Sequence, residues 1–424
     1  MRFSVPFTRW LPEYQKPGVV RADVLAGLTG AIVVLPQGIA FALLAGMPPH
    51  YGLYAAMVPC VIAALFGSSR LMVTGPANAI SLTTMALIAP LAIPESEHYV
   101  ALVLTLSFLI GVIQVALGLG GAGKWVEKVP HSVIVGFTAG AAVLIINSQV
   151  GTLLGIEIAR GTSVADTIQQ AVLAIQEGKW RPEVLGLVLI TLLTMRLWKP
   201  FNKWIPAMLV AVIIGSVSLV LLEHYFASFT QIRKVGAIPG ALPPISYPVI
   251  SLDHLQILFG PVLVMTLLAS TEAMAIARAL ALKRNDAFDA NLEFIGQGLA
   301  NLGGSFFSAY PSSGSFNRSG VNLAANAQTP LSAICAAVFL IILLLFVSPL
   351  AKYLPYAVIA ALLLAVAWSL IDIRQIKQEF QSGAKEWIPM LITGIGTITI
   401  SLEWAILAGI CSAFIAARIS TSAK

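Results

Sequence analysis

Charged residues are scarce in this chain. Only 10% of its 424 residues are Asp, Glu, Lys or Arg, whereas 58% are hydrophobic and the mean hydropathy is +0.88. A soluble domain has roughly 25% charged residues, so the composition excludes an ordinary soluble protein. Apolar runs long enough to cross ~30 Å of hydrocarbon recur along the whole sequence. We therefore expect a polytopic membrane protein.

Groups suited to catalysis or metal binding are also few. The three cysteines, Cys60, Cys335 and Cys411, lie inside apolar runs without the spacing of metal ligands. The sequence shows no nucleophile–base pair, and its basic residues do not interleave with aromatic residues as in nucleic-acid-binding proteins. We therefore expect no enzymatic activity, no metal site, no organic cofactor and no nucleic-acid partner.

The apolar runs predict an all-α protein with about fourteen transmembrane spans. Their approximate centres are residues 34, 58, 84, 110, 140, 190, 213, 268, 298, 320, 340, 363, 394 and 409. Of the 25 Lys and Arg residues, 17 lie in the inner loops and tails of this arrangement and 6 in the outer loops, which leaves Arg278 and Arg318 within spans. This bias places both termini in the cytoplasm, and we expect a multi-pass protein of a bacterial inner membrane.

Two segments of the first half have counterparts in the second. VPHSVI (Val129–Ile134) resembles LPYAVI (Leu354–Ile359), and TGPANAIS (Thr74–Ser81) corresponds to SGSFNRSG (Ser313–Gly320). TGPANAIS begins a short third span, and SGSFNRSG begins a short tenth span. These matches predict two homologous halves of seven spans each, and the odd number inverts the second half in the membrane. The predicted boundaries are a cytoplasmic N-terminal tail at 1–21, a first repeat at 22–223 and a second repeat at 250–420.

The interrupted third and tenth spans predict a substrate site near the membrane midplane. We expect short strands at their starts, followed by half-helices whose N-terminal N–H groups and positive dipole ends converge. Gly75 and Gly314 would permit close backbone approach, the Ser315 hydroxyl can cap or donate, and Arg318 adds a full positive charge. This pattern favours an anion as the ligand. The alternative is that Arg318 forms a salt bridge that only ties two helices together.

Several segments resemble a known family. PHYGLYAAMVPCVIAALFGSSR (Pro49–Arg70) matches the signature of the SulP family of sulfate permeases and related anion exchangers. LPQGIAFALLAG (Leu35–Gly46), LASTEAMAIARA (Leu268–Ala279) and NLEFIGQGLANLGGSFF (Asn291–Phe307) also resemble that family. The resemblance implies a uracil permease-like fold in which a core of spans 1–4 and 8–11 slides against a gate of spans 5–7 and 12–14. It also implies a homodimer. Most members continue into a cytoplasmic STAS domain. Because the sequence ends at Lys424 without one, we expect either a minimal member or a chain from which that domain has been removed.

The resemblance also implies an anion pocket built from spans one, three and ten. Gln37 and Phe41 are one turn apart on the first span and share a face. Ala77 and Asn317 differ from the residues that many relatives have, so the identity of the anion stays open. The implied pocket residues are Gln37, Phe41, Gly75, Pro76, Ala77, Phe316, Asn317 and Arg318, to which we add Ser315.

Glu272 lies in the middle of the eighth span. A carboxylate there is costly unless it is protonated, paired or solvated. Beside an anion pocket it could couple transport by accepting H⁺ or by helping to bind Na⁺. The alternatives are a carboxyl group that is hydrogen-bonded between helices, or one that is paired with Arg318.

These features together favour a secondary active transporter of an inorganic oxyanion, with sulfate as the favoured substrate. Coupling to H⁺ or Na⁺ is expected from Glu272 and the family resemblance, and elevator-type alternating access is what the resemblance implies. Bicarbonate or a dicarboxylate transported by the same family is the first alternative. A nucleobase symporter on the same fold and an anion channel are further alternatives.

Overall fold

The structure is a computed structural model, and it describes residues 6–123, 130–158, 162–201, 205–238, 242–400 and 402–422. Each of the fourteen predicted span centres falls in an α-helix. A single segment in hydrocarbon can satisfy its own N–H and C=O groups only as a helix, which explains why the apolar runs are helical. The prediction of an all-α polytopic protein is confirmed.

The described residues of the first half form nine α-helices, one short strand and two 3-10 helices. The 3-10 helices are Pro6–Gln15 and Ala227–Gln231, and the strand β1 is Thr74–Gly75. The α-helices are α1 (Val19–Leu44), α2 (Pro49–Tyr54), α3 (Val58–Phe66), α4 (Asn78–Ile88), α5 (Glu97–Leu119), α6 (His131–Leu154), α7 (Val164–Gln176), α8 (Pro182–Phe201) and α9 (Ala207–Tyr225).

The described residues of the second half form eight α-helices, one short strand and one 3-10 helix. The strand β2 is Ser313–Gly314, and the 3-10 helix is Ser348–Tyr353. The α-helices are α10 (Leu252–Arg284), α11 (Ala290–Ser305), α12 (Phe316–Ala324), α13 (Leu331–Val347), α14 (Tyr356–Leu370), α15 (Ile373–Gln381), α16 (Ala384–Thr399) and α17 (Leu402–Ser422).

The predicted spans differ in length. Within the described ranges, seven helical stretches are long and apolar enough to cross a membrane: Val19–Leu44, Pro49–Phe66, Glu97–Leu119, His131–Leu154, Ala207–Tyr225, Leu252–Arg284 and Tyr356–Gln381. The other seven span centres lie in helices of 9 to 21 residues. α4 and α12 are short because an extended segment precedes each of them. The second span is divided into α2 and α3, and Pro59 in the first turn of α3 lacks the N–H that a continuous helix would use.

The two strands occupy equivalent positions in the two halves of the sequence. β1 pairs with β2 in antiparallel direction, with Thr74 opposite Gly314 and Gly75 opposite Ser313. Each strand leads into a short helix, α4 or α12. Corresponding strands of two inverted repeats pair in this antiparallel way when the interrupted spans meet. The predicted strands at the starts of spans three and ten are confirmed.

The chain forms two compact units. Unit 1 comprises Met1–Lys128 and Ala237–Ala351, and unit 2 comprises Val129–Gly236 and Lys352–Lys424. Unit 1 therefore contains α1–α5, α10–α13 and both strands, and unit 2 contains α6–α9 and α14–α17. Each unit takes its helices from both halves of the sequence.

Glycines allow helices of unit 1 to pack with their backbones in contact. A Cβ atom on Gly298 of α11 would lie 2.6 Å from the backbone nitrogen of Val115 in α5. Small residues are typical of such crossings, because helices in lipid associate through packing and not through the hydrophobic effect. α11 is thereby held closely against α5.

The N-terminal 3-10 helix is bound to unit 1 by polar contacts. Arg70 Nη2 donates to Glu13 Oε2 at 2.9 Å, and Arg70 Nη1 donates to Asp286 Oδ1 at 3.2 Å. The hydroxyl of Thr329 donates to that of Tyr14 at 3.2 Å. The segment thus contacts the loops that precede β1 and α13, and Arg70 links the first of these loops to the loop that precedes α11.

Matching prolines begin two helices of unit 2. Pro130 is the N-cap residue of α6, and Pro355 is the N-cap residue of α14. The absence of an N–H on proline costs nothing at a helix start, where that group has no intrahelical partner. The two similar motifs, VPHSVI and LPYAVI, therefore serve the same structural purpose in the two halves.

Candidate functional site

The two short helices of unit 1 begin beside the paired strands. α4 begins at Asn78, just after β1, and α12 begins at Phe316, just after β2. The Ser315 N–H also donates to the Val73 carbonyl oxygen at 3.0 Å, which extends the strand pairing toward the helix starts. The pairing therefore brings the first turns of both helices to one place.

The first turns of both helices are sparsely capped. The N-cap residue of α4 is Ala77, which has no side-chain acceptor, and the Ser315 hydroxyl oxygen lies 3.5 Å from the Arg318 backbone nitrogen in α12. N–H groups in a first helical turn have no intrahelical partner and carry partial positive charge. The two helix starts therefore offer backbone donors that suit an anion.

Arg318 is the charged group at this place. Its side chain is buried, with 2% of its surface exposed. Its Nη2 atom donates to the Pro76 carbonyl oxygen at 3.2 Å, whereas Nε and Nη1 are buried without a hydrogen-bond partner. None of the salt bridges formed by the described residues involves Arg318. A buried guanidinium with unused donors and no acid partner is costly, and a bound anion would remove that cost.

Gly75 permits the guanidinium to lie against the backbone of β1. Its φ of +148° is a conformation that side chains rarely adopt. A Cβ atom at this position would lie 2.5 Å from Arg318 Nη2, 2.7 Å from Nη1 and 2.9 Å from the Ala55 carbonyl oxygen. The site therefore needs glycine both for the backbone angle and for the space.

The predicted residues of α1 are buried near this place. α1 packs against both α4 and α12, and its residues Gly30 and Val34 line a cavity of about 10 Å³ together with Arg318. Gln37 and Phe41 continue the same helix face beyond Val34, and both are buried. The cavity has room for about one water molecule, so it is not itself large enough for an oxyanion.

The other predicted residues lie at the helix starts but differ in exposure. Pro76 and Ala77 are buried next to Gly75. Asn317 is half-buried, and the side chain of Phe316 is 56% exposed. Phe316 thus lies at an open edge of the site and does not form part of a closed wall.

Glu272 lies on α10, next to β2. The Ser313 hydroxyl donates to the Ala269 carbonyl oxygen at 2.7 Å, and a Cβ atom on Gly314 would lie 3.4 Å from the Ala273 Cα atom. The Oε2 atom of Glu272 is buried and has no hydrogen-bond partner. The alternative of an ion pair with Arg318 has no counterpart among the salt bridges of the described residues.

Comparison with known proteins decides the family. Residues 20–393 match the sulfate permease family. The chain belongs to this family. Its members are permeases and not enzymes, which agrees with the expectation drawn from the sequence, and the resemblance to SulP proteins is confirmed.

The chain is similar to sulfate transporters of plants and bacteria. It is 33% identical over 406 residues to sulfate transporter 4.1, chloroplastic, of Arabidopsis thaliana, a match that covers 96% of this chain and 59% of that protein. It is 30% identical over 398 residues to probable sulfate transporter Rv1739c of Mycobacterium tuberculosis, with 94% and 70% covered. The chain spans about three fifths of the length of the Arabidopsis relatives that it matches.

Two solved structures share the fold of this permease family member. The murine Solute Carrier 26 family member A9 anion transporter in the inward-facing state has a TM-score of 0.86 at 23% identity, with 98% of this chain and 71% of that chain covered. The transmembrane domain of the cyanobacterial bicarbonate transporter BicA has a TM-score of 0.80 at 26% identity, with 94% and 98% covered. Both likenesses agree with the predicted inverted-repeat fold.

Several polar residues near the site of this permease family member were not predicted. Asn78, the first residue of α4, is buried with an unpartnered Oδ1 atom. The Tyr310 hydroxyl shares a hydrogen bond of 2.8 Å with the Ser81 hydroxyl, which links the segment before β2 to α4. The signal in the sequence is a polar residue within an apolar span, which is rare unless it has a partner.

Replacing Gly75 by alanine is expected to destabilise unit 1. The substitution imposes a disfavoured backbone angle and forces the Arg318 guanidinium to move, and such strain costs about 1–3 kcal/mol. The measurement is the melting temperature in detergent. The matched control is Gly320→Ala, because Gly320 lies in the nearby α12 with open space around it and should leave the melting temperature unchanged or raise it. Equal melting temperatures for the two variants would contradict this account of Gly75.

Proposed function

We propose that the protein is a secondary active transporter of an inorganic oxyanion, with sulfate as its substrate. The observation that carries this proposal is the buried Arg318 guanidinium, whose Nε and Nη1 atoms lack partners beside the starts of α4 and α12. Backbone N–H groups and a guanidinium together bind oxyanions well, because each oxygen can accept several charge-assisted hydrogen bonds. Relatives that are named sulfate transporters support sulfate over other oxyanions.

The proposed binding residues are those that surround these helix starts. Just before α4 they are Gly75, Pro76 and Ala77. At the start of α12 they are Ser315, Phe316, Asn317 and Arg318. On α1 the proposed binding residues are Gln37 and Phe41. We propose no catalytic residue and no metal ligand, and the described residues contain no group of three or more His, Cys, Asp or Glu side chains placed to hold a metal ion.

Bicarbonate is the second candidate substrate. A structural neighbour is a bicarbonate transporter, and bicarbonate would make fewer hydrogen bonds than sulfate because it has fewer oxygens. Dicarboxylates are a further alternative within the family. A neutral nucleobase fits the site less well, since it would leave the Arg318 charge without a counter-ion.

Coupling and movement complete the proposal. Glu272 is the proposed coupling group for H⁺ or Na⁺. Unit 1 is proposed as the moving core of an elevator mechanism, and unit 2 as the gate against which it slides. This division corresponds to the predicted spans 1–4 and 8–11 for the core and 5–7 and 12–14 for the gate. We further propose a homodimer in a bacterial inner membrane, with both termini in the cytoplasm.

Uptake into liposomes tests the proposed function. The purified protein is reconstituted, and labelled sulfate uptake is measured under an inward H⁺ gradient and under an inward Na⁺ gradient. Unlabelled sulfate, bicarbonate, fumarate and uracil serve as competitors. We expect gradient-driven uptake that excess sulfate abolishes and uracil leaves unchanged. Labelled bicarbonate and fumarate are tested in the same way, and uptake of either without uptake of sulfate would overturn the choice of substrate. Passive flux alone would overturn secondary active transport.

A further inference from the structure

α11 carries a line of buried polar side chains that the proposed function does not use. Glu293, Gln297 and Asn301 are four residues apart, and each is 1% exposed. Residues at this spacing lie on one face of a helix. Buried polar groups are costly unless they are hydrogen-bonded, so the partners of these three side chains show what the line holds in place.

The first two residues of the line hold the segment that contains β1. Gln297 Nε2 donates to the Thr74 hydroxyl oxygen at 2.8 Å and to Glu293 Oε1 at 3.0 Å. Glu293 Oε2 accepts from the Ser68 N–H at 2.8 Å and the Ser69 N–H at 2.7 Å, in the loop before β1. The Gln297 amide nitrogen thus lies between Glu293 Oε1 and the Thr74 hydroxyl, so the contact with Glu293 helps to orient the Gln297 side chain toward Thr74.

The third residue of the line holds the segment that contains β2. Asn301 Oδ1 accepts from the Ser312 N–H at 2.7 Å, and Asn301 Nδ2 donates to the Ser312 carbonyl oxygen at 3.0 Å. Asn301 Nδ2 also donates to Gln114 Oε1 at 2.9 Å, which orients the amide. The side chain thus binds both backbone groups of the residue that precedes β2.

The spacing of the line matches the spacing of the strands. Four residues of an α-helix rise about 6 Å, and neighbouring strands are about 4.8 Å apart. Gln297 and Asn301, one turn apart on α11, can therefore each reach a different strand of the pair. A shift of either strand would break the bonds of its side chain.

We propose that Gln297 and Asn301 are positioning residues for the anion site, with Glu293 setting the orientation of Gln297. They hold β1 and β2 at the positions that place Gly75 against the Arg318 guanidinium. This inference rests on the proposed function of that site as an anion site. None of the three side chains needs to touch the anion for this role.

Two substitutions of Thr74 test the role of Gln297 with little change of shape. Thr74→Val removes the acceptor for Gln297 Nε2, whereas Thr74→Ser keeps a hydroxyl group. We expect Thr74→Val to raise the KM for sulfate by roughly 5- to 10-fold, which corresponds to the loss of one hydrogen bond at the site. The maximal rate per folded protein should change by less than about twofold, because the loss concerns binding and not the transport step. Thr74→Ser should restore most of the affinity.

The matched control is Ser107→Ala. The Ser107 hydroxyl donates to the Asn301 carbonyl oxygen at 3.2 Å, so this substitution also removes a hydrogen bond to α11, but one that involves neither β1 nor β2. Its KM should equal that of the wild type. If Thr74→Val and Ser107→Ala lower the melting temperature equally and leave the KM unchanged, the line is only structural and the inference is overturned.

Hydrogen–deuterium exchange tests the positioning without any transport. Thr74→Val should increase exchange in residues 72–77, and Asn301→Ala should increase it in residues 311–316, each with little change in the other segment. If the wild type transports none of the anions, the proposed function fails, and this exchange pattern then decides the positioning role by itself. Unchanged exchange, or an equal increase in both segments for each variant, would overturn it.

Discussion

Arg318→Gln is expected to abolish high-affinity sulfate binding without lowering the stability of the protein. The guanidinium is buried with two unused nitrogen donors, and removing one member of a buried, hydrogen-bonded charge pair costs about 2–4 kcal/mol of binding free energy. This loss corresponds to a roughly 30- to 1000-fold higher Kd. Calorimetry on the detergent-purified protein measures the Kd, and liposome uptake should fall in parallel.

Arg318→Gln also distinguishes an anion-binding role of Arg318 from a purely structural role. The guanidinium also donates to the Pro76 carbonyl oxygen, so it does connect α12 to the segment before α4. If that connection were its main purpose, Arg318→Gln would lower the melting temperature and leave sulfate affinity unchanged. If Arg318 instead binds the anion, Arg318→Gln should lower sulfate affinity and leave the melting temperature unchanged or higher. The reason is that removing an unpaired buried charge in the empty protein is neutral or stabilising.

Two further substitutions sharpen this test. Arg318→Lys keeps the charge but loses the planar arrangement of donors, so an intermediate affinity is expected. Arg284→Gln removes the same charge elsewhere in unit 1, where Arg284 Nη2 donates to the Gln328 side chain at 2.8 Å. This control should bind sulfate like the wild type. Equal losses in Arg284→Gln and Arg318→Gln would indicate a general effect of net charge and would contradict a local site.

Much of the fold could be predicted from composition and local pattern. Long apolar runs place the helices because hydrocarbon leaves a segment no other way to satisfy its backbone. The short strands were predicted because Gly75 and Gly314 interrupt corresponding spans. The break between α2 and α3 was not predicted, since proline is also tolerated within the first turn of a helix, so Pro59 alone does not distinguish a break from a continuous span.

The contacts of the site were harder to predict. The register of β1 against β2 depends on hydrogen bonds between residues some 240 positions apart, which no local pattern encodes. Glu293, Gln297 and Asn301 have a four-residue spacing that is visible in the sequence, but their partners are not. The exposure of Phe316 was also not foreseen, because an aromatic residue beside a polar one can face either a pocket or an opening.

Glu272→Gln is expected to abolish gradient-driven sulfate uptake while leaving sulfate binding within about twofold of the wild type. Glutamine has almost the same shape as glutamate but can neither accept a proton nor carry a charge. Because Glu272 Oε2 is buried without a hydrogen-bond partner, a neutral amide there should not disrupt a bond in unit 1 that involves this atom. Uptake under a gradient and Kd by calorimetry are the two measurements. The control is Glu97→Gln, which removes a carboxylate from the exposed first turn of α5.

Sulfate exchange between the two sides of the membrane completes the test of coupling. A carrier without its coupling group can still exchange bound sulfate, since exchange requires no net movement of the coupling ion. Glu272→Gln should therefore retain exchange and lose uptake under whichever gradient, H⁺ or Na⁺, drives the wild type. That gradient identifies the coupling ion. Undiminished driven uptake in Glu272→Gln would remove Glu272 from the mechanism, and loss of exchange together with uptake would show that the carboxylate is needed for binding or movement and not for coupling alone.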